Sequence, residues 1–402
     1  MIKKLPHHTG SIFGKINVSG SKSESNRLLI LKSLFPNLEL KNLSNSDDSK
    51  YLKRALEEDR SVVDISHAGT AMRFLTAYFA SKEGKEVVLT GSERMQNRPI
   101  SILVDALRSL GAEISYVKKE GYPPLKIQGK HIRKKRVSIH GNVSSQYISA
   151  LLLMAPGLEQ GLELELLGKI TSIPYINMTL ALLRDLGIKC HWEGQVIRVE
   201  HKKSIAGTSV TVESDWSSAS YFYSLAALSQ KAEITLKAYK KNSLQGDSSL
   251  VEIYRHFGVE TIFGDNAITL VKKEAEPKSL TLDLANCPDL AQTIAVTCFG
   301  LRMACDLSGL HTLKIKETDR LVALQKELEK LGAKVSITDK SLHLEQGAVI
   351  NENVSIDTYD DHRMAMAFAP LCLKVPIVIN NAEVVTKSYT DFWKDFESVL
   401  IS

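Results

Sequence analysis

Six short apolar runs recur along the chain, and each begins directly after a polar segment. Apolar runs that open on a helix-capping type of residue are typical of helices packed in a core. The steps between successive openings are 46, 75, 73, 72 and 72 residues. The near-constant step predicts an internal repeat, with a first copy shorter by about 26 to 29 residues. The six openings are Ser23, Gly69, Ser144, Ser217, Asp289 and Asp361.

A second recurring element lies between these openings and ends on a glycine. Four amphipathic stretches stop at Gly111, Gly187, Gly258 and Gly332, and glycine is common where a helix ends in the left-handed conformation. Two short alternating stretches follow each glycine, which indicates a pair of strands. A full repeat therefore reads strand, helix, strand, helix, strand, strand, and an α/β fold is predicted.

The six repeats divide into two sets of three. The segment 18–23 is echoed at 212–217, and 402 residues exceed what one core usually holds. We expect one domain at 19–213 and a second formed by 1–18 with 214–402. A strand at 11–18 should lead into the first crossing, so that a hinge lies near Ser19 and Ser214.

The first repeat is too short to hold all of its elements. A strand is expected at 38–42 and a helix at 47–56, after which only 62–65 remains before the next opening. We predict that 62–65 is the strand entering the second repeat and that the strand pair is missing. One sheet of the 19–213 domain should then be about two strands narrower than its sisters.

Composition narrows the class of protein. Apolar content of 44% and charged content of 24% are typical of a globular protein, and no apolar run approaches the ~20 residues of a membrane helix. The start of the chain lacks an apolar signal core, which favours the cytoplasm. The chain has five cysteines, an odd number, and no Cys-x-x-Cys motif. We therefore expect neither structural disulfides nor a zinc site. A net charge of +5 fits small anionic ligands and does not require nucleic acid.

The openings carry the candidate chemistry. The first turn of a helix has unpaired N–H groups and a partial positive charge, so it attracts anions. Asp289 and Glu317, set among cations, should stay ionised and able to act as bases. Lys316 and Arg320, four residues apart, are expected to share a face if they lie on a helical turn. Taken alone, the charge-rich segment favours a surface ion network. The cations at the repeat boundaries are Lys22, Arg27, Arg98, Lys316, Arg320, Arg363 and Lys387.

Nucleotide-binding motifs are absent from the sequence. Neither Gly-x-x-x-x-Gly-Lys-Ser/Thr nor Gly-x-Gly-x-x-Gly occurs, so ATP and dinucleotides are not implied. What remains is chemistry on phosphorylated small molecules with no metal and no cofactor. The basic run 133–136 could be a nucleic-acid patch, but a solvated loop is the favoured interpretation.

Taken in order, these motifs resemble the 5-enolpyruvylshikimate-3-phosphate synthase family. The resemblance extends from Lys22 to Lys387. Each motif alone is weak to moderate in specificity, whereas seven in the same order are specific. The segments that carry it are 20–27, 68–73, 94–99, 144–146, 215–220, 316–320 and 361–366.

The resemblance implies both a fold and a reaction. The fold is a two-domain inverse α/β barrel of six repeated units, with the substrates between the domains. The 5-hydroxyl of shikimate 3-phosphate attacks C2 of phosphoenolpyruvate, and the tetrahedral intermediate expels phosphate. The resemblance therefore implies a transferase of the shikimate pathway, which supplies chorismate for aromatic amino-acid biosynthesis. Two small-molecule substrates, no nucleic acid, no membrane and a monomeric state are what the resemblance implies.

Residue roles follow from the same resemblance. Asp289 is expected to accept the proton, with Glu317 and Lys22 assisting the chemistry. The residues implied for shikimate 3-phosphate are Lys22, Ser23, Arg27, Ser144, Ser145, Gln146, Ser172, Asp289 and Lys316. Those implied for phosphoenolpyruvate are Lys22, Gly69, Arg98, Gln146, Arg320, Arg363 and Lys387.

The sequence also departs from the family pattern. His67 stands where asparagine is usual, Phe74 where proline often follows, and Thr312 in place of a ring-contacting asparagine. The first alternative is the sister enzyme that acts on UDP-N-acetylglucosamine. It typically pairs the early lysine with asparagine and carries a reactive cysteine in the loop at 91–98, neither of which is found here. An RNA-binding repeat protein is a second alternative, although aromatic residues do not interleave with the cations.

Overall fold

A computed structural model of the chain describes residues 1–276, 278–347 and 349–400. The chain forms two compact units. The central unit is Gly20–Val212, and the terminal unit combines residues 1–19 with residues 213–400. None of the described helices is both long and apolar enough to cross a membrane.

The terminal unit begins with strands β1 (Lys3–Leu5) and β2 (Ile12–Ile16), and the chain then enters the central unit. The helices of the central unit are α1 (Lys22–Leu34), α2 (Asp47–Glu57), α3 (Gly69–Ala80), α4 (Glu93–Gln96), α5 (Ser101–Leu110), α6 (Ser145–Met154) and α7 (Ile173–Asp185). Its strands are β3 (Leu38–Lys41), β4 (Val62–Asp64), β5 (Glu86–Thr90), β6 (Glu113–Tyr116), β7 (Leu125–Gln128), β8 (Arg136–His140), β9 (Leu162–Leu167), β10 (Cys190–Glu193), β11 (Val196–Val199) and β12 (Thr208–Thr211).

The remainder of the terminal unit repeats the same succession. Its helices are α8 (Trp216–Leu228), α9 (Leu250–Arg255), α10 (Ala291–Gly300), α11 (Arg320–Lys330), α12 (His362–Phe368) and α13 (Phe392–Leu400). Its strands are β13 (Ala232–Lys237), β14 (Val259–Gly264), β15 (Ala267–Lys272), β16 (Leu280–Asp283), β17 (Cys305–Ser308), β18 (Val335–Ile337), β19 (Leu342–Leu344), β20 (Val354–Ile356) and β21 (Ile377–Ile379).

Four of the sheets share one topology. The entering strand runs parallel to the second strand, and the second strand pairs antiparallel with the last strand of the following hairpin, as in β4–β5–β7–β6. The other three orders are β8–β9–β11–β10, β2–β13–β15–β14 and β16–β17–β19–β18. Because parallel neighbours need a crossover, each first helix lies between two parallel strands in sequence.

The two crossings of the chain exchange entering strands between the sets of repeats. Strand β2 leads in sequence towards α1, yet it pairs in parallel with β13, with Ala232 opposite Ile12. Strand β12 leads towards α8, yet it pairs in parallel with β3, with Thr208 opposite Leu38. The terminal unit therefore takes one entering strand from the segment before the central unit, and the central unit takes its own from its C-terminal end.

The first repeat lacks its hairpin, as the sequence predicts. The stretch between α2 and α3 holds a single strand, β4, which is the entering strand of the next sheet. The β3–β12 sheet consequently has two strands where its sisters in the central unit have four. The expected truncation is therefore confirmed.

The sixth repeat also has no hairpin of its own among the described residues, which the sequence did not predict. Strand β1 takes the vacant position and pairs antiparallel with β21, with Lys3 opposite Ile379 and Leu5 opposite Ile377. The N-terminal residues thus complete the last repeat. A strand of three residues is too short to produce a pattern that sequence reasoning can detect.

The helix-ending glycines adopt the predicted conformation. Their φ angles are +108° at Gly111, +70° at Gly187, +73° at Gly258 and +99° at Gly332. Left-handed backbone of this kind disfavours residues with a β-carbon. The first helix of each repeat is buried over most of its length, for example throughout α10, which explains why its residues read as an apolar run rather than as an amphipathic stripe.

Candidate active site

Polar side chains fix the first turns of the buried helices. Ser144 Oγ accepts a hydrogen bond from the backbone N–H of Gln146 at 3.4 Å, and Asp215 Oδ1 accepts one from Ser218 at 2.8 Å. Asp361 Oδ1 accepts from the N–H of Arg363 at 2.9 Å. These caps satisfy some of the unpaired N–H groups and set the direction of the helix. The residues next to them are held on the first turns.

Arg98 lies against the start of α3 in the central unit. A β-carbon at Gly69 would come within 2.6 Å of Arg98 Nη1, so glycine lets the guanidinium lie in this position and a larger residue would require it to shift. Gln146 Nε2 donates to Thr70 Oγ1 at 3.3 Å, which joins the start of α6 to the start of α3. A guanidinium beside a helix N-terminus is an arrangement suited to an anion.

Arg73 holds the start of α3 and the segment that carries Arg98 together. It is buried, and its Nη1 donates to the carbonyl of Gly69 at 3.1 Å while its Nη2 donates to the carbonyl of Pro99 at 3.4 Å. It thereby ties the helix start to the residue that follows Arg98. Burial, followed by repulsion from Arg98, lowers the pKa of Arg73 to about 10. Sequence reasoning placed Arg73 within a motif but gave it no part in the site.

Arg27 joins three helices of the central unit. Its Nε donates to Thr179 Oγ1 at 2.8 Å, Nη1 to the carbonyl of Ser23 at 2.7 Å, and Nη2 to Ser149 Oγ at 2.9 Å and to the carbonyl of Tyr175 at 3.3 Å. These bonds use four of its five N–H donors. Burial lowers the pKa of Arg27 to about 10, so the group stays charged at neutral pH. Arg27 is therefore first a structural anchor, with one donor left for a ligand.

The remaining expected residues of the central unit lie at the same helix starts. Lys22 and Ser23 are the first two residues of α1, and Ser145 begins α6. Ser172 directly precedes α7 with a φ of +54°, a left-handed conformation that is uncommon for serine. In the part of the chain that the structure describes, neither Lys22 nor Arg98 makes an ion pair.

Asp289 is the centre of a charged cluster in the terminal unit. Its Oδ1 lies 2.8 Å from Arg320 Nη1 and 3.4 Å from Lys316 Nζ, and its Oδ2 lies 3.1 Å from Arg363 Nη2. Burial opposes the carboxylate charge, but Arg363, Lys316 and Arg320 outweigh it and hold the pKa of Asp289 well below its usual range. The carboxylate is therefore ionised throughout the neutral range.

Arg320 binds three carboxylates with one guanidinium. Besides Asp289, it contacts Asp361 Oδ2 through Nε at 2.6 Å and Glu317 Oε2 through Nη2 at 2.7 Å. Its side chain is 2% exposed and that of Asp361 is 0% exposed. Although burial lowers it, the pKa of Arg320 is raised overall because Asp361, Glu317 and Asp289 surround it. Sequence reasoning treated Asp361 only as a helix-opening residue and missed this contact.

The expectation that Lys316 and Arg320 share a helical turn is wrong. The helix α11 begins at Arg320, and Asp319 caps it by accepting from the N–H groups of Leu321 and Val322. Lys316 precedes this cap in extended backbone. The two cations meet because both reach Asp289, not because of helical spacing.

A second carboxylate reaches the cluster through a hydroxyl. Arg363 Nη2 lies 3.3 Å from Ser217 Oγ, which in turn donates to Asp247. Burial and the nearby charge of Asp289 raise the pKa of Asp247 to about 6, against the pull of Arg363. Asp289 and Asp247 are thus buried acids with opposite pKa shifts, and cation contacts account for the difference.

Lys387 contacts the loop that precedes α12. Its Nζ donates to the carbonyl of Asp360 at 2.6 Å. Tyr359 and Asp360 have φ angles of +52° and +55°, so two consecutive residues with side chains adopt the left-handed conformation. Such strain persists only where surrounding contacts over-determine it.

The family model and the sequence relatives identify the same family. The family model for EPSP synthase (3-phosphoshikimate 1-carboxyvinyltransferase) matches residues 47–396. A 3-phosphoshikimate 1-carboxyvinyltransferase of Bacteroides fragilis is 46% identical over 384 residues, which cover 94% of this chain and 93% of that protein. The chain belongs to the EPSP synthase family. The resemblance that the motifs indicate is thereby confirmed.

Other members of the family, and a more distant structure, extend the comparison. A 3-phosphoshikimate 1-carboxyvinyltransferase of Haemophilus influenzae is 36% identical over 425 aligned positions, covering 97% of each chain. The EPSP synthase structure from Acinetobacter baumannii has a TM-score of 0.80 at 21% identity and covers 99% of this chain and 98% of its own. The enolpyruvyl transferase NikO from Streptomyces tendae has a TM-score of 0.72 at 13% identity, covering 98% and 97%. These structures confirm the expected fold.

The three departures from the family pattern have distinct surroundings. The ring of Phe74 lies 5.6 Å from the guanidinium carbon of Arg27 and so stacks against the anchor of the central unit. His67 Nε2 lies 3.9 Å from Asp47 Oδ2, and its ring meets Tyr51 edge to face. Thr312 Oγ1 is buried and has no hydrogen-bond partner among the described residues.

Proposed function

We propose that the chain transfers the enolpyruvyl group of phosphoenolpyruvate to the 5-hydroxyl of shikimate 3-phosphate and releases phosphate. The observation that carries the proposal is the Asp289 carboxylate, whose side chain is 13% exposed and which stays ionised between Arg320, Arg363 and Lys316. A permanently ionised acceptor among cations suits removal of a hydroxyl proton beside anionic substrates. Membership of the EPSP synthase family supports the same reaction.

Addition is the first step. The 5-hydroxyl oxygen forms a bond to C2 of phosphoenolpyruvate, its proton passes to Asp289, and C3 gains a proton with assistance from Glu317 and Lys22. In the tetrahedral intermediate, the bond from C2 to the phosphate oxygen then breaks. C3 returns its added proton to the group that supplied it, and the double bond forms again. Inorganic phosphate leaves and takes up the proton held by Asp289, so atoms and charge balance.

Binding roles follow the cations and helix starts. Residues proposed for shikimate 3-phosphate are Lys22, Ser23, Arg27, Ser144, Ser145, Gln146, Ser172, Asp289 and Lys316. Residues proposed for phosphoenolpyruvate are Lys22, Gly69, Arg98, Gln146, Arg320, Arg363 and Lys387. The Arg98–Gly69 contact supports a phosphate site at the start of α3, because a guanidinium and backbone N–H groups lie together there. Arg27 contributes mainly by fixing Ser23, since most of its donors are already used.

Phosphate release tests the reaction directly. With phosphoenolpyruvate as donor, we expect release in the presence of shikimate 3-phosphate and none above background with UDP-N-acetylglucosamine. Mass spectrometry should find shikimate 3-phosphate enlarged by the enolpyruvyl group. Release with UDP-N-acetylglucosamine alone would replace this proposal with the sister reaction.

Replacing Arg98 with alanine should weaken phosphoenolpyruvate selectively. Its guanidinium lies against Gly69, and a charged hydrogen bond to phosphate contributes about 1.5–3 kcal/mol, or roughly 10- to 100-fold in affinity. Steady-state KM values for the two substrates measure the effect, with Arg94→Ala, on the short helix α4 just before Arg98, as the matched control. An equal rise in both KM values would argue against the assignment.

We also propose that the chain acts as a monomer on small molecules, in the cytoplasm and without nucleic acid. The modest net charge of +5 supports the exclusion of nucleic acid. Analytical ultracentrifugation at working concentration tests the monomeric state.

A further inference from the structure

The helix that supplies Arg320 also carries a buried carboxylate two turns later. Glu327 lies on α11, and its side chain is 0% exposed. Glutamate is almost never fully buried unless other groups compensate its charge. The reaction proposed above gives Glu327 no part.

Both oxygens of Glu327 are occupied by the loop that precedes α12. Tyr359 Oη donates to Oε1 at 2.6 Å, and the backbone N–H of Asp357 donates to Oε2 at 3.1 Å. Lys330 Nζ lies 2.8 Å from Oε2 and also pairs with Asp357. Burial together with Glu327 and Asp357 raises the pKa of the Tyr359 hydroxyl, which therefore remains a donor.

This loop carries the strained residues and leads into the charged cluster. Tyr359 and Asp360 are both left-handed, and the carbonyl of Asp360 accepts from Lys387. The next residue, Asp361, binds Arg320 and caps the helix that presents Arg363. An unsupported loop would relax towards ordinary backbone angles, because the left-handed conformation is unfavourable for residues with a β-carbon.

We infer that Glu327 and Tyr359 act as positioning residues, which clamp the 357–360 loop in its strained conformation and so place Arg363 and Lys387 for phosphoenolpyruvate. Helix α11 then aligns two parts of the site at once. At the start of α11, Arg320 binds Asp361. Two turns further along the same helix, Glu327 binds the 357–360 loop that precedes Asp361. This inference rests on the proposed assignment of Arg363 and Lys387 to phosphoenolpyruvate.

Tyr359→Phe tests the clamp with the smallest change, since it removes one hydroxyl and keeps the ring. We expect KM for phosphoenolpyruvate to rise about 5- to 20-fold, as for one hydrogen bond to a charged group transmitted in part to the ligand. KM for shikimate 3-phosphate should stay within about twofold. The matched control is Tyr223→Phe, which removes a hydroxyl bonded to Thr261 Oγ1 at 2.7 Å elsewhere in the same unit.

Glu327→Gln supplies a second variant. Glutamine offers one acceptor oxygen in place of two, so it cannot accept from both Tyr359 Oη and the Asp357 N–H, and the loop loses at least one of these two bonds. The double variant Glu327→Gln with Tyr359→Phe should raise KM for phosphoenolpyruvate by less than the product of the two single effects, because residues of one network are not additive. Fully additive effects would overturn the clamp.

Two further outcomes separate this inference from the proposed function. If Tyr359→Phe lowers the unfolding midpoint but leaves both KM values unchanged, the contact is only structural and the inference is wrong. Arg363→Ala is measured in parallel. If it does not weaken phosphoenolpyruvate, the assignment of Arg363 fails first. If it does weaken phosphoenolpyruvate while Tyr359→Phe does not, the clamp alone fails.

Discussion

Asp289→Asn is expected to lower turnover by about 10²-fold or more, the usual scale for a lost general base. Asparagine keeps the shape of the side chain but cannot accept the proton of the 5-hydroxyl. Binding of each substrate should stay within a few-fold, because Arg363, Lys316 and Arg320 remain in place. Single-turnover kinetics with separate ligand titrations measures both quantities.

The low pKa of Asp289 has a specific consequence for this experiment. In the absence of ligands, the three cations make the carboxylate a weak base, although they keep it ionised. Bound phosphoenolpyruvate would share these cations and so raise the basicity of Asp289 when the proton must move. The exposed carboxylate Asp306 in the same unit provides the control Asp306→Asn. Near-normal turnover of Asp289→Asn would remove the residue from this role.

Arg320→Met is expected to destabilise the terminal unit by about 3–5 kcal/mol, the scale observed when one partner of a buried ion pair is removed. Asp361 would lose its Arg320 partner at 0% exposure, and Asp289 and Glu317 would each lose a contact. Urea unfolding followed by circular dichroism measures the loss. Lys326→Met, an exposed position on the same helix, should change stability by less than about 0.5 kcal/mol.

Arg320→Lys distinguishes charge from geometry at the same position. Lysine keeps the positive charge but cannot offer a planar fork to three carboxylates. We expect it to recover part of the stability lost in Arg320→Met. Full recovery would mean that the net charge alone matters, and a loss below about 1 kcal/mol in Arg320→Met would contradict the importance of the buried cluster.

The repeat, the helix ends and the shortened first copy were all predictable from the sequence. Each of them depends on local physics. Glycine permits the left-handed helix end at Gly111 and its counterparts, and a buried helix reads as a continuous apolar run. A stretch of too few residues between α2 and α3 cannot form a hairpin, whatever the rest of the fold does. The same local polarity at the helix starts indicated residues such as Asp289 and Arg98.

Only the tertiary structure decided which charged residues act together. Arg73, Asp361 and Glu327 look like ordinary charged helix residues in the sequence, and their contacts come from segments far along the chain. Asp361 meets Arg320 across 41 positions, and Glu327 meets Tyr359 across 32. The place of β1 in the last repeat is likewise decided by an open sheet position at the other end of the chain. Local pattern determines each element, whereas burial and the pairing of distant charges depend on how the elements pack.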